Sequence, residues 1–333
     1  MTNGIVHKSG LLCDVVSETA DEIHSWADFE NFYTSLDLGA KARWCFRGQR
    51  NHTWRLETLL ERVTAGNRDR LKAERYFIRA FQRRAHHFLQ VVPSFDDLLE
   101  WLALMQHWGV PTRLLDFTTS PYIGLFFALN DFLQTGDGSG QERFAALWAV
   151  HHVACKGIAV FGLNQAGIEG LPRLAHETPL GSPEYFRRCF FGDLSIPFVA
   201  PLQPFRLNER QAVQQGMFLC ASNLKLSFEE TLVQLPEFQE HIQAKLPGTP
   251  EDLVPRVQHN LKRLIRKAII SERGAVEILP RLYSMNLNSG SLFPDLQGYA
   301  QSITERYKAL QLMPTHEKEA VGFDALNEID SLG

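Results

Sequence analysis

Apolar residues recur at helical spacing in several stretches of the chain, each bounded by start and stop signals. Residues 20–36 (ADEIHSWADFENFYTSL) put Ile23, Trp26, Phe29, Phe32 and Tyr33 on one face and predict an amphipathic helix. A second predicted helix, 68–90, has Leu71, Phe77, Ala80, Phe81 and Phe88 as its apolar stripe and Arg68, Arg70, Lys72, Arg75, Arg79, Arg83 and Arg84 opposite. A third opens at Ser94 as N-cap, with Asp96 and Asp97 complementing its dipole, and aligns Phe95, Leu98, Leu99, Leu102 and Met105. Gly109 suits its C-terminal cap and Pro111 prevents continuation. Ser120-Pro121 signals the start of a helix over 121–133. Residues 256–273 place Val257, Leu261, Leu264, Ile265, Ala268 and Ile269 on one helical face, with Arg256, Lys262, Arg263, Arg266 and Lys267 opposite.

Shorter runs predict strands at 42–47 (ARWCFR), 112–118, 143–150 (RFAALWAV), 156–162 and 214–221 (QQGMFLCA). The Pro- and Gly-rich stretch 164–204 is expected to be mostly loop, and the polar, acidic tail 311–333 to be loosely ordered. Helices and strands mix without regular alternation, which predicts an α+β fold: a helical N-terminal part with a central mixed or antiparallel sheet. One large domain over 20–310, its N-terminal helices integrated, is the expected organisation.

Composition narrows the class only a little. Hydrophobic residues at 44% and charged residues at 22% are ordinary globular values. The net charge of −4 gives no global attraction to nucleic acid, so such binding would need a local basic patch. Five scattered cysteines without a CxxC pair argue against a disulfide framework and a structural zinc site, and no metal site is predicted. The N-terminus lacks the apolar core of a signal peptide and no run of about 18 apolar residues occurs, so the expectation is a cytoplasmic protein that engages no membrane.

Chemistry concentrates in three stretches. In CFRGQ (45–49), Arg47 stands where a strand ends and Gly48 lets another backbone approach. Such an Arg either clamps a phosphate or carboxylate with its planar fork or pairs with an internal acid such as Asp116. In QHWGVPTRLLDFTTSP (106–121), Gln106 and His107 close a helix. Alternation then puts Thr112, Leu114 and Asp116 on one strand face and Arg113, Leu115 and Phe117 on the other. Asp116, in an apolar setting, must be paired or hydrogen-bonded. Thr118, Thr119 and Ser120 lead into a helix start, where they either cap it or help hold an anion. In RLNERQAVQQGMFL (206–219), Arg206, Glu209, Arg210, Gln214 and Gln215 crowd ahead of a strand, either as a solvated loop or as groups that orient a ribose hydroxyl.

CFRGQ, QHWGVPTRLLDFTTSPYIGLFFA, RQAVQQGMFL and the late GSLFPDLQGYA resemble, in that order, the motifs of the FRG domain family, over about residues 25–300. That family is named for its Phe/Tyr-Arg-Gly and occurs in bacterial and phage contexts, sometimes beside defence or toxin modules. The motif order further resembles that of ADP-ribosyltransferases. The resemblance implies an NAD-using transferase or NAD glycohydrolase acting as a toxin or antiviral defence effector. Phe46, Arg47 and Gly48 would then grip the nucleotide, and Thr118, Thr119 and Ser120 would brace the nicotinamide pocket. Gln214 and Gln215 stand where those enzymes carry a Glu; Glu209 lies five residues earlier, and Asp116 is the other acidic candidate. The implied catalytic set is Arg47, Asp116, Thr119, Gln214 and Glu209, with Gln106, His107, Arg113 and Arg210 adding to the NAD site. Two other readings remain: a nucleic-acid-binding or nucleic-acid-modifying protein using the basic faces of 68–90 and 256–273, and a non-enzymatic regulator bound to a protein target or neutralising partner.

Overall fold

The computed structural model describes residue 16 and residues 20–36, 43–65, 69–134, 142–168, 180–192, 196–206, 208–235 and 260–312. Seven strands form one open mixed sheet: β1 (Asp21–Ile23), β2 (Trp44–Gln49), β3 (Leu114–Thr118), β4 (Phe144–His151), β5 (Val199–Leu202), β6 (Gly216–Ala221) and β7 (Ile265–Ser271). Their spatial order is β1-β7-β4-β2-β3-β6-β5; only β1 and β7 run parallel, and every other neighbouring pair is antiparallel.

The helices are α1 (Trp26–Ser35), α2 (Leu59–Val63), α3 (Arg70–Ala85), α4 (Leu98–His107), α5 (Pro121–Leu129), α6 (His152–Gln165), α7 (Pro183–Phe191), α8 (Glu209–Val213), α9 (Phe228–Val233), α10 (Glu272–Ser284), α11 (Ser289–Leu292) and α12 (Leu296–Leu312). Local chemistry sets their ends. Ser25 caps α1 by accepting from the Asp28 amide, and Asp69 caps α3 by accepting from Lys72. At the end of α4, Gly109 adopts φ +74°; its amide reaches Gln106 O while the Val110 amide reaches Met105 O, the paired bonds of a Schellman motif.

Several sequence expectations change. Residues 21–23 are a strand ahead of α1 because their backbone pairs with β7. The cap of α4 is Asp97, not Ser94, since the Asp97 carboxylate accepts from the Glu100 amide. Residues 156–162 are helical: Cys155, Ala159, Val160 and Leu163 are buried at helical spacing, and His151 caps the helix through Nδ1. The stretch 164–204 contains α7 and β5. Among the described residues of the predicted helix 256–273, 260–264 are helical but Ile265–Ser271 are the strand β7, because Ile265, Ala268 and Ile270 fill cores on both faces of the sheet. Its basic face is therefore broken: Lys262 and Arg263 stay exposed, but the next two cations turn to partners within the protein. Arg266 pairs with Asp21, and Lys267 is buried, donating to His52 O and lying over the Trp148 ring. Residues 256–259 and the tail beyond 312 lie outside the described residues.

One sheet face carries a continuous core. Cys45, Leu115, Phe117, Ala146, Trp148, Val150, Val199 and Leu219 meet Phe228 and Leu232 of α9 and Cys155 of α6. The opposite face carries two cores. Phe46, Leu147, Ala149, Ala268 and Ile270 pack under α1, α5 and α10. Leu114, Phe218, Cys220, Ala200 and Leu202 pack under α3, α4, α6 and α7. The two meet along the β2–β3 seam, where the strands share a single register pair, Phe46 opposite Thr118. By contrast β2 pairs β4 over six residues and β3 pairs β6 over five.

Two contacts fix this arrangement. Gly48 lies so close to α5 that a Cβ would stand 2.1 Å from Gly124 O and 2.4 Å from Ala128 N. The approaching backbone anticipated at Gly48 is thus the protein's own helix. Arg113, 1% exposed, is bound by Glu74, fully buried on α3; its Nε donates to both carboxylate oxygens at 2.9 Å and its Nη1 donates to Phe190 O. The guanidinium also lies 4.4 Å above the Phe191 ring. Glu74, Ile78 and Ala85 are the buried positions of α3, with Phe77 and Phe81 packed beside them, whereas Phe88 of the predicted stripe is exposed.

Glu74→Ala strands a buried guanidinium and is expected to cost about 3–5 kcal/mol, visible as a lowered denaturation midpoint. Gly48→Ala is expected to cost about 2–3 kcal/mol or prevent folding, because the obstructing atoms are backbone. A midpoint within error of the parent for either variant would contradict the respective contact.

Candidate functional site

Because α5 covers one half of this sheet face and α4 the other, a trough remains above the seam. It forms a cavity of about 310 Å³, at the small end of ligand-sized cavities. Phe46, Arg47, Gly48, Asp116, Phe117 and Thr118 supply its floor; Phe127 of α5 stands on one side, and Ala103, Gln106 and His107 of α4 on the other. Asn208, Arg210, Gln211 and Gln214 of α8 and its flanks, with Gly216, Met217 and Phe218 of β6, complete it. A larger cavity of about 970 Å³ beside β5 shares only Met217 with it; of the residues singled out in the three motif stretches it is lined by Arg206 alone.

Arg47 works across the opened seam. Its Nη1 donates to the main-chain O of Asp116 at 2.8 Å, supplying a link where the strand ladder is lost. Its Nε is buried without a partner among the described residues, an unfavourable state for so strong a donor. Burial pushes the guanidinium pKa down, the Asp116 carboxylate opposes that, and Arg62 adds to it. Asp116 is exposed, not set in apolar surroundings as its neighbours imply, because the trough uncovers that face of β3. Gln106 Nε2 donates to its carboxylate at 2.7 Å, while Gln106 Oε1 accepts from the Thr112 hydroxyl at 2.5 Å. The amide is thereby oriented, and the acid is steadied without losing its charge to an ion pair.

His107 faces the same space. Burial lowers its pKa from 6.5, Arg210 lowers it further and Asp295 opposes, so the ring is neutral at neutral pH. Arg210 itself lies 4.5 Å over the Phe293 ring. The late GSLFPDLQGYA segment thus acquires a role that its sequence does not announce. Phe293 stacks Arg210, Leu292 O accepts from Gln214 Nε2 at 2.9 Å, and Asp295 lies near His107.

The hydroxyl triplet is spent mainly on the protein. Thr118 donates to Gln214 O at 2.7 Å; the Thr119 amide donates to Gln215 O and its hydroxyl to Gln215 Oε1. Ser120 caps α5 by accepting from the Ile123 amide. These bonds hold the turn before β6, in which Gln215 takes the left-handed φ of +47°. Among the residues singled out from the sequence, Phe46, Arg47, Gly48, Gln106, His107, Asp116, Thr118, Arg210 and Gln214 line the cavity. Arg113, Thr119, Ser120, Glu209 and Gln215 do not; Arg113 is consumed by Glu74, and Glu209 is exposed on α8. Asn208, Gln211 and Phe127 join the lining unforeseen. The capping pattern at Asn208, whose side chain accepts from Gln211 while Gln211 reaches back, was the one sequence signal that could have placed two of them.

Among the described residues no group of three or more His, Cys, Asp or Glu is placed to hold a metal ion. No helix among them is long and apolar enough to cross a membrane. The family model of the FRG domain matches residues 42–136, which hold β2, β3, the FRG tripeptide and the acid of the cavity, so the chain carries an FRG domain. No curated protein matches the chain, and no solved structure does.

Burial lowers the pKa of His52, His107 and His151 below 6.5, so at that pH the unfolded chain takes up protons that the folded chain refuses. Stability is expected to fall as pH drops from about 7.5 to about 5.5, and His107→Gln should lessen the fall. Glu61 and Glu100, raised above 4.5 by burial, act in the opposite sense at lower pH, so the comparison belongs at and just below 6.5. A melting temperature that is flat across this window contradicts the assignment.

Proposed function

We propose that this FRG-domain chain binds the ribosyl-nicotinamide end of NAD in the seam cavity and breaks the bond between ribose C1′ and the nicotinamide nitrogen. It would then act as an ADP-ribosyltransferase-like enzyme or an NAD glycohydrolase. One observation carries the reading: a single cavity brings together the Asp116 carboxylate, oriented by Gln106, and the Arg47 guanidinium, whose Nε has no hydrogen-bond partner among the described residues. Acid and cation answer the two needs of the reaction, charge stabilisation at carbon and a fixed phosphate.

As the bond breaks, its electron pair leaves with nicotinamide, which becomes neutral, and positive charge develops on C1′ and the ring oxygen. Asp116 stabilises that charge. It then accepts the proton of the water or other acceptor that attacks C1′. Arg47, with Arg210, would hold the pyrophosphate, and neutral His107 offers a hydrogen bond beside them. A volume of about 310 Å³ suits a nucleoside with one phosphate; the adenylate half would lie outside. Glu209, the residue nearest the usual position of the catalytic Glu, has no place in this scheme because it does not line the cavity. Consumption of NAD is the activity through which such a chain would serve as a toxin or defence effector.

The test is calorimetric titration with NAD together with assay of released nicotinamide. Asp116→Asn is expected to lower turnover by about 100-fold or more while NAD affinity stays within about threefold. Arg47→Lys should weaken NAD binding about tenfold, because the point charge of Lys cannot reproduce the fork. Absence of both binding and nicotinamide release at millimolar NAD overturns the reading.

A further inference from the structure

We propose that the outer face of α3 is a track for single-stranded nucleic acid. Lys72, Arg75, Arg79 and Arg83 follow one another at intervals of three or four residues, so they form one stripe with about one cation per turn over about 16 Å. All four are exposed, and none forms an ion pair among the described residues. Several arginines elsewhere are matched: Arg55 with Glu229, Arg143 with Glu272, Arg266 with Asp21, Arg281 with Glu277.

The fold itself makes the stripe purely cationic. Glu74 is the only acid within α3, and its ion pair with Arg113 draws it wholly inside. Arginines four apart then repel one another with nothing between to offset them. A chain with a net charge of −4 thus keeps one face unneutralised, and a row of phosphates would relieve it. Tyr76, 68% exposed, stands between Arg75 and Arg79. An aromatic ring among phosphate-binding cations is a platform for an unpaired base, which points to a single strand over a duplex. A membrane surface fits less well: the apolar side of α3 (Phe77, Ile78, Phe81 and Ala85) is packed into the protein and has nothing left to insert.

Anisotropy titration of labelled 20-nucleotide RNA and DNA into the full chain tests this. Four phosphate contacts predict a log–log salt slope of about −3 for a single strand, so affinity should fall about 50-fold between about 50 and 200 mM salt. The triple variant Arg75→Gln, Arg79→Gln, Arg83→Gln is expected to lose binding at least about tenfold and reduce the slope to about −1. Tyr76→Ala should lose about tenfold with its slope unchanged. Melting temperatures at or above that of the parent confirm that both variants are folded; should the triple variant not fold, Arg79→Gln alone reads the same slope, reduced by about 0.7. Salt-independent or absent binding overturns the proposal, as does equal binding by the folded variants. So does tighter binding to duplex of the same length, or binding only to vesicles containing phosphatidylserine. NAD turnover is read separately on the triple variant, so failure here leaves the seam cavity untouched.

Discussion

The meeting of β2 and β3 through one residue pair is the constraint on which the rest depends. Beyond Phe46 and Thr118 the two strands part, and a sheet whose other neighbouring strands pair over three to seven residues opens at its middle. An opened ladder leaves main-chain polar groups to be satisfied by other means. Arg47 meets part of that need by donating to Asp116 O. The same parting divides the helices of one face into two layers with separate cores, and the trough between them is the cavity.

Close packing on either side keeps the seam open. On one side Gly48 and Gly124 bring α5 onto β2 more closely than any side chain would allow. On the other, the Glu74–Arg113 pair ties α3 to the residue ahead of β3 and, through Phe190 O, to α7. Buried ion pairs of this kind are better evidence for a fixed arrangement than for net stability, because desolvation offsets much of their attraction. Here the pair has a second consequence, since withdrawing Glu74 leaves the surface of α3 without an acid.

Polar residues that look alike in the sequence therefore divide by role. Thr118, Thr119 and Ser120 bind the turn before β6 and the start of α5, which positions Gln214 and Gly216 at the cavity. Gln106 and Thr112 form a short relay whose end is the Asp116 carboxylate. Only groups still uncommitted after these internal bonds, Asp116 and part of Arg47 foremost, remain for a ligand.

The sequence by itself determined the elements whose signals are local. The α4 stop at Gly109, the α5 start at Ser120-Pro121, and strands β2, β3, β4 and β6 all rest on caps, turns and alternation within a few residues. It also singled out Arg47, Asp116 and Gln106, which the fold brings to one cavity. Tertiary structure decided what depends on distant partners. Ile265–Ser271 became a strand because β1 and β4 stand beside it, although its side chains also suit a helix face. Arg113 became structural because Glu74, 39 residues earlier, neutralises it. Asp116 was exposed by a trough that no spacing encodes, and Phe293 reached Arg210 only when the chain folded back. Burial and charge pairing are sums over the whole chain, whereas caps and periodicity are read one turn at a time.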